Sequence, residues 1–236
     1  MNRTSWIVLV TVCVLGLGGL VIFTKKDAVD VDNIDTFSIV KPSGESVGDH
    51  VYGKVDSKVV FFEYADFQCP GCAPSERNLS VIRSIYKDKV AFVYRNYPIT
   101  SIHPNALASA SAAEATQYQG KYWEMHSLLF ERQNEWSSLS ISDRGMAFVE
   151  YAKQLGIDEN QFKTDLARKE VRDKIQIDRA LADKAGVNST PTFFIGSKLL
   201  DSDTTNDIIQ QSGKKLMDEL DKALKEIGET PPSRNQ

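Results

Sequence analysis

Residues 59–76 read VVFFEYADFQCPGCAPSE. The first six, Val59 to Tyr64, form a short apolar run rich in β-branched and aromatic side chains. Such a run predicts a buried central strand. Ala65 to Gln68 then make a turn. From Pro70 to Asp88, PGCAPSERNLSVIRSIYKD places Leu79, Ile82, Ile85 and Tyr86 at helical spacing. Pro70 suits the first position of a helix, where its missing N–H costs nothing. This spacing predicts Cys69 at the helix N-cap and Cys72 within the first turn. The unpaired N–H groups and partial positive charge of a helix start favour a thiolate. Cys69 is therefore expected to be acidic and exposed, and Cys72 shielded behind it. A proline as deep as Pro74 is expected to kink the helix.

A pair of cysteines two residues apart is also half of a zinc site. Zinc held by thiolates needs four ligands, and the only other cysteine is Cys13. His50, His103 and His126 are scattered without the spacing of a histidine ligand pair. The redox reading of the pair is the better one. A net charge of −4 and the lack of a basic run give no footing for nucleic acid. An apolar content of 42% with 25% charged residues is ordinary for a chain with a packed core.

Further along, VAFVYRNYPI at 90–99 predicts a second strand, so that strand, helix and strand form a right-handed parallel βαβ unit. Near the other end, GVNSTPTFFIGSKLL at 186–200 sets Thr190-Pro191 before a strand, Thr192 to Ile195. A turn at Gly196 and Ser197 leads to another, Lys198 to Leu200. X-Pro is the one common route to a cis peptide. Between these strands the chain reads as helical: His103 to Gln119 ending at Gly120, Lys121 to Arg132, and Ser142 to Leu155. A longer helix opens at the capping box Asp158-x-x-Gln161 and ends near Gly186. Asp201 to Thr205 reads as a loop, and one amphipathic helix is expected over Asn206 to Ile227. His103 reads as a helix-start residue and His126 as a packed or half-exposed helix residue. Trp123 and Trp136 read as core or groove wall.

The N-terminus carries WIVLVTVCVLGLGGLVIF, residues 6–23, without a charge. As a helix it would be about 27 Å long, close to the thickness of the hydrocarbon layer. An uncleaved membrane anchor and a signal peptide cut after Gly16 and Gly18 both fit. The apolar run continues past that cut, which favours the anchor. Lysines and arginine flank it on both sides, so they leave orientation unassigned.

Three stretches, FEYADFQCPGC, HPNALASASAAEATQYQGKYWEMHSLLF and GVNSTPTFFIG, together resemble the DsbA-like oxidoreductases of the thioredoxin superfamily. The resemblance spans roughly residues 50 to 228. It implies an α/β thioredoxin fold with an all-helical insertion, about 103–186, between the second and third core strands. It also implies a redox-active Cys69–Cys72 disulfide with Cys69 as nucleophile and Cys72 as resolving thiol. Pro191 would be cis against the CxxC loop, and Thr190 would offer its backbone to an extended client. Pro70 and Gly71 would complete the client surface. Glu63, six residues before Cys69, matches the family's buried acid. Burial in an apolar strand should raise its pKa and let it relay a proton with Cys72. Strongly oxidising members carry a histidine between the cysteines, where this chain has Pro-Gly.

The expected organisation is an anchor or signal peptide over 1–25, a linker over 26–48 with a short strand at Thr36 to Val40, a thioredoxin-like domain over 49–230, and a disordered tail over 231–236. The expected function is an extracytoplasmic, membrane-tethered thiol–disulfide oxidoreductase that acts as a monomer. It would donate its disulfide to reduced secreted proteins and be reoxidised by a membrane redox partner, with no metal or diffusible cofactor. The alternatives are a reductase or isomerase of the same fold, and a non-catalytic anchored peptide-binding scaffold with an inert disulfide.

Overall fold

The structure, a computed structural model, describes residues 29–43 and 47–234. Contacts divide the chain into two compact units, 1–30 and 31–236, and everything below lies in the second. The anticipated membrane span over residues 6–23, Cys13 included, lies outside the described residues. Among the described residues no helix is long and apolar enough to cross a membrane.

The centre is a five-stranded mixed sheet made of β1 (His50–Gly53), β2 (Val60–Ala65), β3 (Ala91–Asn96), β4 (Thr192–Ile195) and β5 (Lys198–Leu199), in the order β1-β3-β2-β4-β5. Strands β2 and β3 pair in parallel from Val60 opposite Ala91 to Ala65 opposite Asn96, joined by helix α1 (Cys72–Tyr86). This is the βαβ unit anticipated from the sequence. The remaining pairings, β1 with β3, β2 with β4 and β4 with β5, are antiparallel. Both middle strands are covered on both faces, which is why their sequences show apolar runs rather than alternation. The first strand, HVYG, was not anticipated: four half-exposed residues carry no periodic signal.

The helical insertion follows β3. It comprises α2 (Ala106–Thr116), a 3₁₀ turn at Gln117–Gln119, α3 (Tyr122–Glu131), α4 (Gln133–Trp136), α5 (Ile141–Gln154), α6 (Glu159–Leu166) and α7 (Lys169–Lys184). After the β4–β5 hairpin come α8 (Ser202–Gln210) and α9 (Lys214–Glu226). One core joins α1, α8 and α9 to the sheet through Phe61, Leu79, Ile82, Phe193, Leu216, Leu220 and Leu224. Each of those fully buried leucines contributes about 2 kcal/mol. A second core fills the insertion around Met125, Leu129, Trp136, Phe162 and Ile175 and reaches Cys69 and Cys72.

Several expectations are corrected. Helix α1 begins at Cys72, with Gly71 at its N-cap, so Cys69 and Pro70 precede the helix. Pro74 then falls in the first turn, where no intrahelical bond is lost, and α1 continues unbroken to Tyr86. The long helix after Asp158 is two helices. Asp158 accepts from the Gln161 N–H, but the Gln161 side chain turns to Asp165, so the capping box is half formed. The buried Asp165 also takes the Arg168 guanidinium at 2.6 Å, where the chain turns into α7. The terminal helix is likewise two helices, split at Gly213 in the left-handed region at φ 66°. A Cβ at Gly213 would meet Ile82 Cδ1 at 2.5 Å. Asp201, read as part of a loop, caps α8 by accepting from the Thr204 N–H.

The linker and tail are also more attached than anticipated. No strand forms over Thr36 to Val40. Instead Val31 and Thr36 are buried, and Phe37 packs on Phe62 and Phe194. The domain thus takes up most of the supposed linker. At the other end Arg234 bonds Asp218 and Asp221 on α9, so the chain is held at least that far.

Candidate active site

Strand β2 ends at Ala65 and the chain turns tightly into the cysteine loop. The Cys69 N–H donates to the Asp66 carbonyl at 3.0 Å, and the Cys72 N–H donates to the Cys69 carbonyl at 3.1 Å. Both cysteines stand as free thiols, the dithiol form of the pair. Cys69 is only 8% exposed, more covered than anticipated, and Cys72 is wholly buried. The cover comes from the Thr190–Pro191 turn. That peptide is cis, and the Cys69 thiol donates to the Thr190 carbonyl at 3.4 Å. Pro191 is buried beside Gly71, and Pro70 is exposed at the rim. A Cβ added at Gly71 would sit 3.5 Å from Pro191 Cδ and 3.9 Å from Cys69 Sγ, ordinary contact distances. The structure therefore brings Cys69, Cys72, Gly71, Thr190 and Pro191 together at the end of the sheet.

The two sulfurs differ sharply in acidity. Cys69 is pulled down to about 6, first by hydrogen bonding from the Cys72 thiol. Burial works against this, and the Thr190 hydroxyl and the backbone N–H groups of Gly71 and Cys72 add to the lowering. That hydroxyl has no partner while Cys69 is a thiol, so it is free to turn toward a thiolate. The favourable helix start thus acts even though Cys69 lies before it. Cys72 is driven well above the ordinary thiol range, by burial first and then by its bond and proximity to Cys69.

Beneath Cys72 lies Glu63 on β2, 3% exposed. Burial, with the nearby Glu76 carboxylate, pushes its carboxyl up to about 8 against the opposing pull of Arg83. Glu63 is therefore buried within the sheet and does not face solvent. Glu63, Glu76 and His126 form a cluster whose donor atoms lie within 4.8 Å of one another. The Arg83 guanidinium donates to both oxygens of Glu76, so the positive charge that a metal would bring is already in place.

Clamps from the insertion hold the loop. Gln133 on α4 donates to the Phe67 carbonyl at 2.7 Å and the Cys69 carbonyl at 2.8 Å. Gln68 reaches the other way, to the Ser137 carbonyl and the Asn105 N–H, both at 2.6 Å. Asp66 accepts from the Gln68 and Ile99 N–H groups and pairs with His103 at 2.7 Å. His103 is therefore a loop anchor ahead of α2 rather than a helix-start residue.

With that geometry in view, the sequence profile of the thioredoxin family matches residues 45–212, which include the cysteine loop, the insertion and the cis proline. The chain belongs to the thioredoxin family. Within it, the fold is the DsbA-like form. A thioredoxin-like oxidoreductase from Silicibacter pomeroyi is 28% identical, with a TM-score of 0.60, covering 75% of this chain and 92% of that one. Wolbachia pipientis alpha-DsbA1 is 24% identical with a TM-score of 0.61 over 75% and 92% of the two chains. Oxidised BdbD from Bacillus subtilis is 22% identical with a TM-score of 0.60 over 80% and 98%. Among curated relatives, a Na(+)/H(+) antiporter NhaA 3 from Salinispora tropica is 38% identical over 152 residues. That match takes in 64% of this chain but only 22% of the antiporter. An NhaA antiporter from Herminiimonas arsenicoxydans matches at 28% over 78% of this chain and 28% of its own length.

For this thioredoxin-family site, sequence reasoning missed Asp66, Gln68, Gln133, Glu76 and Arg83, and it read His126 as the packed helix residue that it is. Glu76 and Arg83, seven apart on α1, share one helix face, and this spacing was a usable signal. Gln133 carried none, because its partners are backbone carbonyls some 65 positions away.

Proposed function

We propose that the protein is a thiol–disulfide oxidoreductase of the DsbA-like kind, acting through the Cys69–Cys72 pair and donating its disulfide to reduced client proteins. The observation that carries this reading is the divided acidity of the two sulfurs beside a cis Thr190–Pro191 turn. In the oxidised protein, a client thiolate attacks Cys69 Sγ and the Cys69–Cys72 bond breaks. Cys72 leaves as a thiolate and takes a proton from the Glu63 carboxyl, which a pKa of about 8 keeps loaded near neutrality. A second client thiolate then attacks the client sulfur of the mixed disulfide. Cys69 leaves as a thiolate, a good leaving group because its pKa is low. The client gains the disulfide and the protein keeps both electrons, so an oxidising redox partner must take them up again. The exposed backbone around Thr190, with Pro70 and Gly71 at the rim, is suited to an extended client segment.

The reading includes an extracytoplasmic site tethered by the apolar stretch 6–23, with a membrane partner for reoxidation, and action as a monomer. The fold's recurrence in antiporter-named relatives supports an association with membranes.

Substituting Cys72→Ala removes the resolving thiol and tests the reading. Offered clients that already carry a disulfide, the Cys69 thiolate attacks one sulfur and releases the other as a thiolate, and the expected result is accumulation of client–Cys69 mixed disulfides, separable on non-reducing gels. No adducts, together with two wild-type thiols that both titrate near 8.5, would identify the pair as an inert clip and overturn it.

A further inference from the structure

The Glu63 proton has to be replaced after each turnover, yet Glu63 is sealed under the cysteine loop at 3% exposure. Its Oε1 has no hydrogen-bond partner. Beside it, on α3, His126 is wholly buried, and neither of its ring nitrogens has a partner. Burying an unpaired nitrogen costs about 1–3 kcal/mol, so this imidazole is an expense that packing alone does not explain. Its Nδ1 lies 3.7 Å from Glu76 Oε1, and the donor atoms of Glu63, Glu76 and His126 are mutually within 4.8 Å. Side-chain rotations can close such gaps to hydrogen-bond length. Glu76, in turn, lines a surface cleft of about 270 Å³ between α1 and α3, with Ser127, Phe130 and Glu131.

We propose that His126 and Glu76 conduct the proton between Glu63 and this cleft. This rests on the thiol-exchange reading above, since only that chemistry moves a proton through Glu63. When Cys72 leaves as a thiolate, Glu63 gives up its proton and becomes a carboxylate. The Glu76 carboxylate, paired with Arg83, picks up a proton from the cleft and passes it to one nitrogen of the neutral His126, which gives the N–H proton of its other nitrogen to Glu63. On reoxidation the Cys72 thiol releases its proton to Glu63 and every transfer runs in reverse. The balance is one proton in for each disulfide opened and one out for each disulfide closed. The chain needs an imidazole that is neutral at rest. Burial first, and then the Arg83 and His50 charges, hold His126 well below the usual histidine range. The groups around it are His50 from β1, Glu63 from β2, Glu76 and Arg83 from α1, Tyr94 from β3 and Tyr122 from α3. His126 acts through Glu63 and is a positioning residue for the proton.

The test is repeated turnover: oxidation of a dithiol peptide by a catalytic amount of the full-length protein, with glutathione disulfide as terminal oxidant, from pH 5 to 9, in H₂O and D₂O. His126→Phe preserves the ring packing against Phe67, Tyr94 and Phe130. It is expected to slow turnover about tenfold at pH 7, within the range of a general acid–base contribution, and to enlarge the solvent isotope effect. The midpoint of Cys69 alkylation should stay where it is. Glu76→Gln should give a similar loss, and the double variant no more than either alone, because both lie on one path. Rates within twofold of wild type, or losses that multiply in the double variant, would overturn the relay. If His126→Phe fails to fold, His126→Gln is held to the same readouts. A wild-type protein that forms no mixed disulfide sinks the functional reading and this inference together. Normal wild-type turnover with indifferent variants sinks the inference alone.

Discussion

Two buried polar clusters meet at β3, and they are built on opposite terms. One joins the N-terminal segment, the sheet and the insertion. Arg95 uses all five of its N–H donors, on Thr36 O, Ser38 O, Tyr64 Oη and both oxygens of Asp49. Lys174 bridges Asp49 and Asp178, Asn96 bonds Asp178 and Glu114, and Glu114 pairs with His50 at 2.7 Å. Every charge in it has an opposite partner, and of the side-chain polar atoms of Asn96 only Oδ1 is left without a hydrogen bond. The other cluster, under the thiols, leaves Glu63 Oε1, Tyr94 Oη and both His126 nitrogens without partners. A satisfied buried network holds elements in place, whereas an unsatisfied one stores unfavourable energy at the point where chemistry needs a displaced pKa. The difference teaches that burial of charge serves docking in one cluster and, on the proposed function, proton transfer in the other.

Substitution should separate the two. Arg95→Leu strips Asp49 of its main partner and opens the seam between the N-terminal segment and β3. We expect a loss of about 3–5 kcal/mol in a denaturant titration, with Cys69 acidity unchanged in the molecules that remain folded. A loss under 1 kcal/mol would remove the contrast.

Glu63→Gln should act in the opposite direction. Between about pH 4.5 and 8 the native chain holds a proton on Glu63 that the unfolded chain has released, so stability falls as pH rises through that window. Glutamine removes that slope and should stabilise the fold by on the order of 2–4 kcal/mol at pH 7. The same change should slow client oxidation at least tenfold, since Cys72 loses its proton donor. Destabilisation on this substitution would show Glu63 to be a structural acid.

The smallest change should come at the rim. Gly71 leaves room for a Cβ, so Gly71→His should fold normally and place an imidazole beside Cys69. We expect the midpoint of Cys69 alkylation to drop from about 6 by about one pH unit, and the redox potential to become less negative. The wild-type potential should fall between about −120 mV and −270 mV, because a Cys69 pKa of about 6 lies between those of DsbA and thioredoxin. A potential below that of thioredoxin would turn the proposed direction round, toward a reductase.

Much of the fold could be read along the chain. The apolar run of β2, the turn, the helical spacing of Leu79, Ile82 and Tyr86 and the Thr-Pro step before β4 are local patterns, each set by neighbours within a few residues. They located the βαβ unit, the hairpin and the residues that meet at the cleft. The helix breaks at Ala167 and Gly213 were invisible. Asp165 and Ile82, which decide them, are chosen by packing and carry no turn signal of their own. Cys69 was expected to be exposed because periodicity cannot show that a segment 121 positions away folds over it.

Residue order by itself determined that two cysteines would follow a buried strand and precede a helix, because strand and helix periods and the helix-start dipole are properties of neighbouring residues. It also determined that an acid would lie in that strand. Only the folded chain decided which groups surround them: the cis Thr190–Pro191 turn over Cys69, the Gln133 clamp on its carbonyl, and His126 and Arg83 around Glu63. Acidity depends on distance and burial, and those are set when segments far apart in sequence come to share one interior.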